Sequence, residues 1–522
     1  MGVDMEEPGR RRLSGCWMFA PACVLLLALL AIALWVWDAA LKRKLDARIA
    51  DAHARGEPVT FAEFMERRRQ AAPFDCSALS FMDAMERLQL VDGEDHDRTS
   101  VIARLRFSEE LGARRSDEQR AMMRGHVEAR AEVLALIRQG ARLPPGAYPI
   151  DASGPPWCIT MDHLARTRHI ARLCRRAAVL HAEDGDGRAA AEYTADGLAL
   201  AASVGEWPLL IERLVDLAIG SIALDGLERA LAVCEMPADS LTMLREALRQ
   251  AEDGNRTLAA LLAERAGGHW ALVEASADDV AEFVRTCGDG IPGVLARLYA
   301  VAPVWRAGDA LFYHKVMERQ VDAHRLPLEE RAQAAARASQ QAETDVAAGG
   351  MRHPLSAMTM PALSRAGEED VKAAARSRVV RVALAAEQWR MMHGDWPESL
   401  DQLVPEFLDA LPCDPHTGGP LLWKRTPEGF TVYSAGLDGD DNGGLRQQDA
   451  AAVPGNARPP YDIPFRLFDP ERRGARTRAF RDEVMEAGWL NLSELAPFGF
   501  DEARLRTLRF TDEDLRTLRN RE

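Results

Sequence analysis

From Cys16 to Trp37 the chain runs without a charged residue, and a helix of about 20 apolar residues is what the hydrocarbon core of a bilayer requires. Trp35 and Trp37 close the run, where aromatic rings favour the headgroup layer. The sequence "WVWDAALKRK" follows with no small-residue cleavage pattern. Residues 16–37 are therefore predicted to be an uncleaved, single-pass transmembrane anchor behind a short tail over 1–15. Beyond the anchor, apolar positions recur mostly at every third or fourth residue, the period of an amphipathic helix.

Helix boundaries are written in the polar positions. Thr60 with Glu63, and Ser116 with Gln119, have the spacing of capping boxes. Gly56 and Gly140 stand where helices should end. The loop "LPPGAYPIDASGPPWC" divides N-terminal helices over 38–150 from a helical array over 151–345. In the array, Ile170, Leu173, Cys174, Ala177 and Leu180 mark one helix, and "AEDGDG" turns it into the next. The stretch "PLLIERLVDLAIGSIALDGLERALAV" is apolar over most of its circumference and is predicted to lie at the centre. Glu212, Arg213, Asp216 and Asp225 argue against a second membrane span there. Because no 34-residue period repeats, the array reads as an irregular α-helical bundle or short solenoid.

Gly, Pro and Met break the rhythm over 346–370, which is predicted to be a linker. A long helix, "VKAAARSRVVRVALAAEQWRMMHG", should then end at Gly394 as a left-handed cap. "WPESLDQLVPEFL" reads as a short helix and "PLLWKRTPEGFTVYSAG" as strand, turn and strand, giving a small α+β module over 371–470. A helical tail over 471–522 carries "LRTLR" twice; it suits a partner or a membrane surface, or a helix capping the module. The fold class expected is mainly α.

Composition changes this picture in one respect. A net charge of -15 argues against a nucleic-acid partner, which draws on surplus Lys and Arg; basic runs such as "RTRHIARLCRR" read as solvated helix faces. Charge flanking the anchor is nearly balanced, with Arg10, Arg11 and Arg12 before it and Lys42, Arg43, Lys44 and Arg48 after it. The eight cysteines are scattered with no C-x-x-C pair, so both free thiols and disulfides stay open.

The densest candidate chemistry is "GLDGDDNGG", Gly436 to Gly444, directly after the strand-like "FTVYS". Clustered carboxylates and amide oxygens on a sharply turning chain suit a hard cation, and calcium takes six to eight oxygen ligands. Asp438, Asp440, Asn442 and Gly443 fit positions one, three, five and six of an EF-hand loop, with Asp449 in the last position. The paired helices of an EF-hand are missing. A solvated acidic turn is the alternative.

With "HGDWPESLDQL", "LPCDPHTGGPLLWKR", "FTVYSAGLDGDDNGG" and "YDIPF" in this order, the module resembles the C-terminal part of the major pseudopilin of type II secretion systems. The resemblance implies a helix on a small antiparallel sheet and a structural calcium ion. It carries Asp438, Asp440, Asp441 and Asn442 into the calcium loop, and Asp462 onto the aspartate of the family's terminal "DI". It covers under a fifth of the chain. Gly15 precedes the span, but Ala20 stands at the family's glutamate position and over half the chain separates span from module, so filament assembly is not implied. The helical array is similar to that of membrane-anchored bacterial proteins with no known activity.

Other motifs read as structural. "GDGIPG" follows a helix and carries Pro292 where a phosphate-cradling turn should open one. "HAEDGDG" sits between two helices, and His163 and His169 are spaced wrongly for one helical metal face. No P-loop, H-E-x-x-H or G-x-S-x-G occurs. The expectation is a non-catalytic scaffold or envelope- and secretion-associated protein of the inner membrane, its bulk outside the cytoplasm, with protein partners. The alternative is a membrane-anchored hydrolase with its site in a groove of the array.

Overall fold

The computed structural model describes residues 20–73, 75–94, 111–252, 255–287, 298–299, 301–349, 352–447, 449, 460–477 and 479–521. Expectations for the tail over 1–15, the start of the anchor, "GDGIPG" and most of the segment after Asp449 lie outside them. The fold is mainly helical with a small sheet. Among the described residues one helix is long and apolar enough to cross a membrane.

That anchor helix, Ala20–Ala54, changes character along its length. Its first half is exposed, Leu26 at 69% and Trp35 at 71%. Its second half enters the protein body, where Leu45 and Ala52 are buried against the shoulder helix Pro303–Arg325 and its neighbours. Both expected capping boxes form, Thr60 with Glu63 and Ser116 with Gln119, and each such cap contributes about 1 kcal/mol. The segment ending at Gly140 is two helices, Asp117–Glu128 and Ala131–Gly140. They divide at Arg130, whose buried guanidinium reaches back to the carbonyl of His126 at 3.0 Å and across to Asp92 at 2.7 Å.

His163–Glu183 and Gly187–Ala201 form the expected hairpin around "AEDGDG". The central helix, Leu210–Leu231, joins three cores: Val215 and Ile219 in one, Leu224, Leu227 and Leu231 in the second, Leu210 in the third. Its uniformly apolar circumference has this cause.

The predicted linker over 346–370 is instead helix on both sides of a short break, Leu328–Gly349 and then the long helix Pro354–His393. Proline suits a first helical turn because the missing N–H has no intrahelical partner there. Leu355, Leu363 and Ala366 are buried with the shoulder helix, while Val379, Val382 and Leu384 are buried in the core below the sheet. One helix thus spans two cores. It ends at Gly394 with φ of 84°, the left-handed cap expected. The short helix after it is a single 3-10 turn, Leu400–Leu403.

The sheet is antiparallel, β1 (Leu422–Thr426), β2 (Gly429–Ser434) and β3 (Ile463–Phe468) in that order. The expected hairpin pairs Trp423 with Val432, and β2 is buried along its whole length. The outer edge of β3 faces the central helix, where Glu228 accepts from the Arg466 N–H at 2.9 Å and pairs with Arg446. A helical tail forms as expected, but it packs neither freely nor on the sheet alone. Phe480, Phe500, Phe510 and Leu518 belong to one core with Phe81, Met123 and Ile137 of the N-terminal helices. A short parallel pairing of Ala113–Arg114 with Arg476–Thr477 ties the same two regions.

Candidate ligand cleft and the acidic loop

The acidic loop starts where β2 ends. Gly436 has φ of 69°, and a Cβ there would lie 2.4 Å from the Tyr461 carbonyl oxygen, so this close approach of loop to β3 requires glycine. Asp438, Asp440 and Asp441 are exposed and Asn442 is half-buried. Asp438 accepts from the Asp440 N–H at 3.2 Å and from the Asn442 side-chain amide at 3.0 Å. Asp441 accepts from the Gly443 N–H at 2.8 Å and the Tyr433 hydroxyl at 3.1 Å. Burial, with the Asp441 carboxylate beside it, pushes Tyr433 up to about 12.

Asp462 is brought to the same loop but occupied differently. Its carboxylate is buried and accepts from the amides of Gly444 at 2.6 Å, Leu445 at 3.2 Å and Asn442 at 3.3 Å. Burial raises its pKa; those amides offset part of the rise. Asp414, whose role sequence reasoning did not identify, braces the other side of the loop. It accepts from the Ser434 hydroxyl at 2.8 Å and the Ala435 N–H at 2.9 Å. Lys424 donates to the Gly443 carbonyl. Asp449, the candidate last ligand, lies 3.5 Å from Arg466.

The donor set therefore has the oxygen chemistry calcium needs, while its arrangement is closed on internal hydrogen bonds. Among the described residues no group of three or more His, Cys, Asp or Glu is placed to hold a metal ion. Seating an ion would require Asn442 to release Asp438. Asp438, Asp440 and Asp441 are the residues free to turn toward it, with Asp462 holding the backbone.

A larger site lies elsewhere. A cleft of about 1490 Å³ opens beside the middle of the long helix, where that helix passes from one core to the other. The central helix, Ala238–Glu252 and the loop at 140–145 supply the other walls. Its charged groups are held in pairs. Asp370 receives Arg213 at 3.1 Å, Arg331 at 3.2 Å and the Thr257 hydroxyl. Burial alone would raise the Asp370 carboxyl, but Arg213, with His324, Thr257 and Arg331, holds it below its ordinary value. Arg378 donates to Glu252 at 2.6 Å and Glu329 at 2.8 Å.

Asp216 is the exception. It lines the cleft with one carboxylate oxygen buried and unpartnered, and burial pushes it up to about 8 against the pull of Arg256 and Arg213. Burial also lowers Arg256, to about 10. Next to this wall Glu212 takes two hydrogen bonds from Arg68, at 2.6 and 2.7 Å, and His163 lies 3.3 Å away. The structure keeps His169 out of that cluster.

Cleft residues come from positions far apart in the chain, Arg213 and Asp370 among them. The only sequence signal was charge on helices otherwise apolar. Comparison of the chain with protein-family models, with curated proteins and with solved structures finds no match. The reading of the site rests on its own geometry and chemistry.

Proposed function

We propose that this chain is a membrane-anchored scaffold that captures an extended segment of a protein partner in the cleft beside its long helix. The volume carries the reading: about 1490 Å³ exceeds the roughly 300–1,000 Å³ of a small-molecule pocket. The mixed lining supports it further. Paired Arg and Asp or Glu side chains, with Ser221 and Ser377 between them, offer donors and acceptors for both edges of a peptide backbone without favouring one charge.

In this proposal the anchor lies in an inner membrane and the body stands outside the cytoplasm, as part of envelope assembly or secretion. The sheet and acidic loop form a pseudopilin-like module stabilised by calcium. Photoreactive side chains placed at Met243 and Ser377 test the capture, with Val273, exposed and outside the cleft, as control. One partner segment linked from both cleft positions is expected. Equal labelling from Val273, or none from the cleft, would sink the proposal.

One observation favours a second reading, the hydrolase. At about 8, Asp216 is still protonated at neutral pH and faces the cleft, the state a general acid needs. Asp216→Asn separates the two: turnover would vanish in a hydrolase, whereas capture by a scaffold would survive.

A further inference from the structure

We infer that the groove between the anchor helix and the shoulder helix is a binding site for an anionic phospholipid of the surrounding bilayer. The inference rests on the reading that the anchor helix crosses a membrane, and it goes beyond that reading in naming a ligand and a site.

The groove has a volume of about 1450 Å³. On the anchor helix Leu34, Trp37, Leu41, Lys44 and Arg48 follow one another at steps of three and four residues and all line it, so they form one stripe of the helix. Trp305, Leu311 and Phe312 form the opposing wall. Gly308 lies between the walls, where even a Cβ would already touch Leu41 at 3.9 Å. The floor is apolar and continues the exposed surface of the membrane-crossing half, where Leu34 and Trp37 remain 41% and 58% exposed. A purely aqueous setting would leave this surface uncovered.

Polarity changes along the groove in the direction that a lipid requires. Past Leu41 the lining turns cationic, with Lys44, Arg48, Lys315 and Arg352 against Asp51. Arg48 pairs with Glu318 and Lys315 lies 3.4 Å from Asp345. Lys44 and Arg352 are exposed and have no acidic partner among the described residues. Lys44 is seven residues past Trp37, about 10 Å along a helix, close to the outer edge of a headgroup layer. Its flexible stem lets the ammonium snorkel back to a phosphate. His353, stacked on Phe312 at 4.1 Å, adds a buried Nδ1 with no partner at the inner end. Acyl chain against Leu34, Trp37 and Trp305, phosphate against Lys44 and Arg352, is the arrangement that covers the apolar floor and pairs both cations.

Native mass spectrometry of the full chain in mild detergent, with dioleoyl phosphatidylglycerol or dioleoyl phosphatidylcholine added, tests this. Wild-type protein is expected to retain phosphatidylglycerol in preference, and Lys44→Glu with Arg352→Glu to weaken that retention on the order of tenfold or more. Both substitutions are at exposed positions, and circular dichroism checks that the variant folds. Equal retention of the two lipids, a preference unchanged in the double variant, or a dimer that buries Trp305 in place of lipid overturns the inference. Release of wild-type protein from membranes by alkaline carbonate would instead overturn the anchor reading, so the two failures are distinct.

Discussion

His126, His269 and His314 lie in interiors that lower their imidazoles to about 3, about 4 and about 3. Burial is the leading cause in all three, with Arg130 and Arg176 adding at His126, and His269 and Arg265 at His314. His269 and His314 share one hydrogen bond at 3.0 Å, which a neutral pair can make and a doubly charged pair cannot. A histidine whose folded pKa lies below the unfolded value of about 6.5 weakens the fold as pH drops through 6.5, because the unfolded chain takes the proton first. The loss reaches about 1.4 kcal/mol per pH unit for each residue and continues to about pH 4. Asp216 has the opposite sign: raised to about 8, it loses stability as pH climbs from the ordinary carboxylate range toward 8. Melting of the full chain in detergent is therefore expected to fall steeply between pH 6.5 and 5, and His126→Gln to reduce the slope. A melting temperature flat over that window would contradict the neutral assignment of the three rings.

At the scale of elements, an unpaired sheet edge is a hazard that folded proteins cover or charge. Here the edge of β3 is covered by the central helix, through Glu228 on the Arg466 N–H and on Arg446. Removing one partner of a buried pair strands the other, a loss of about 3 kcal/mol or more. Glu228→Ala should lower stability to denaturant by that amount and speed amide exchange at Arg466, with Glu228→Gln milder because its carbonyl still accepts. A change under about 0.5 kcal/mol, the ordinary range for surface positions, would mean that the contact is idle. The acidic loop yields a separate expectation. With a dissociation constant near 10⁻⁴ M, at the tight end for extracellular calcium sites, about 1 mM calcium stabilises the bound loop by roughly 1.4 kcal/mol. Amide exchange over 436–445 should slow in calcium relative to chelator. Asp438→Ala should abolish the difference, whereas Asp462→Ala should loosen the loop with or without the ion, since it releases three amides. Identical exchange in calcium and chelator would reduce the stretch to a solvated turn.

Across the whole molecule, the long helix, the central helix and the returning tail join the module to the array, so residues 371–470 share their core with Leu224, Leu227 and Leu244. A reporter fused after Glu522 tests which side of the membrane this body occupies, and activity confined to the cytoplasm would contradict the proposed orientation. Local features were legible in the sequence because local physics sets them. An uncharged run longer than a bilayer needs, two capping boxes, a turn at "AEDGDG", a glycine cap at Gly394 and a strand-turn-strand each depend on residues a few positions apart. The acidic loop was legible as composition, and its resemblance directed attention to Asp462 without revealing that amides fill its carboxylate. What only the tertiary structure decided are contacts between distant segments. The linker became helix because Leu355 and Leu363 found a core to enter. The tail returned to Phe81 and Ile137, and Arg213 met Asp370 across a cleft. Periodicity states which face of a helix is apolar, but not which other face will cover it, since many pairings bury similar area and packing and charge pairing choose among them.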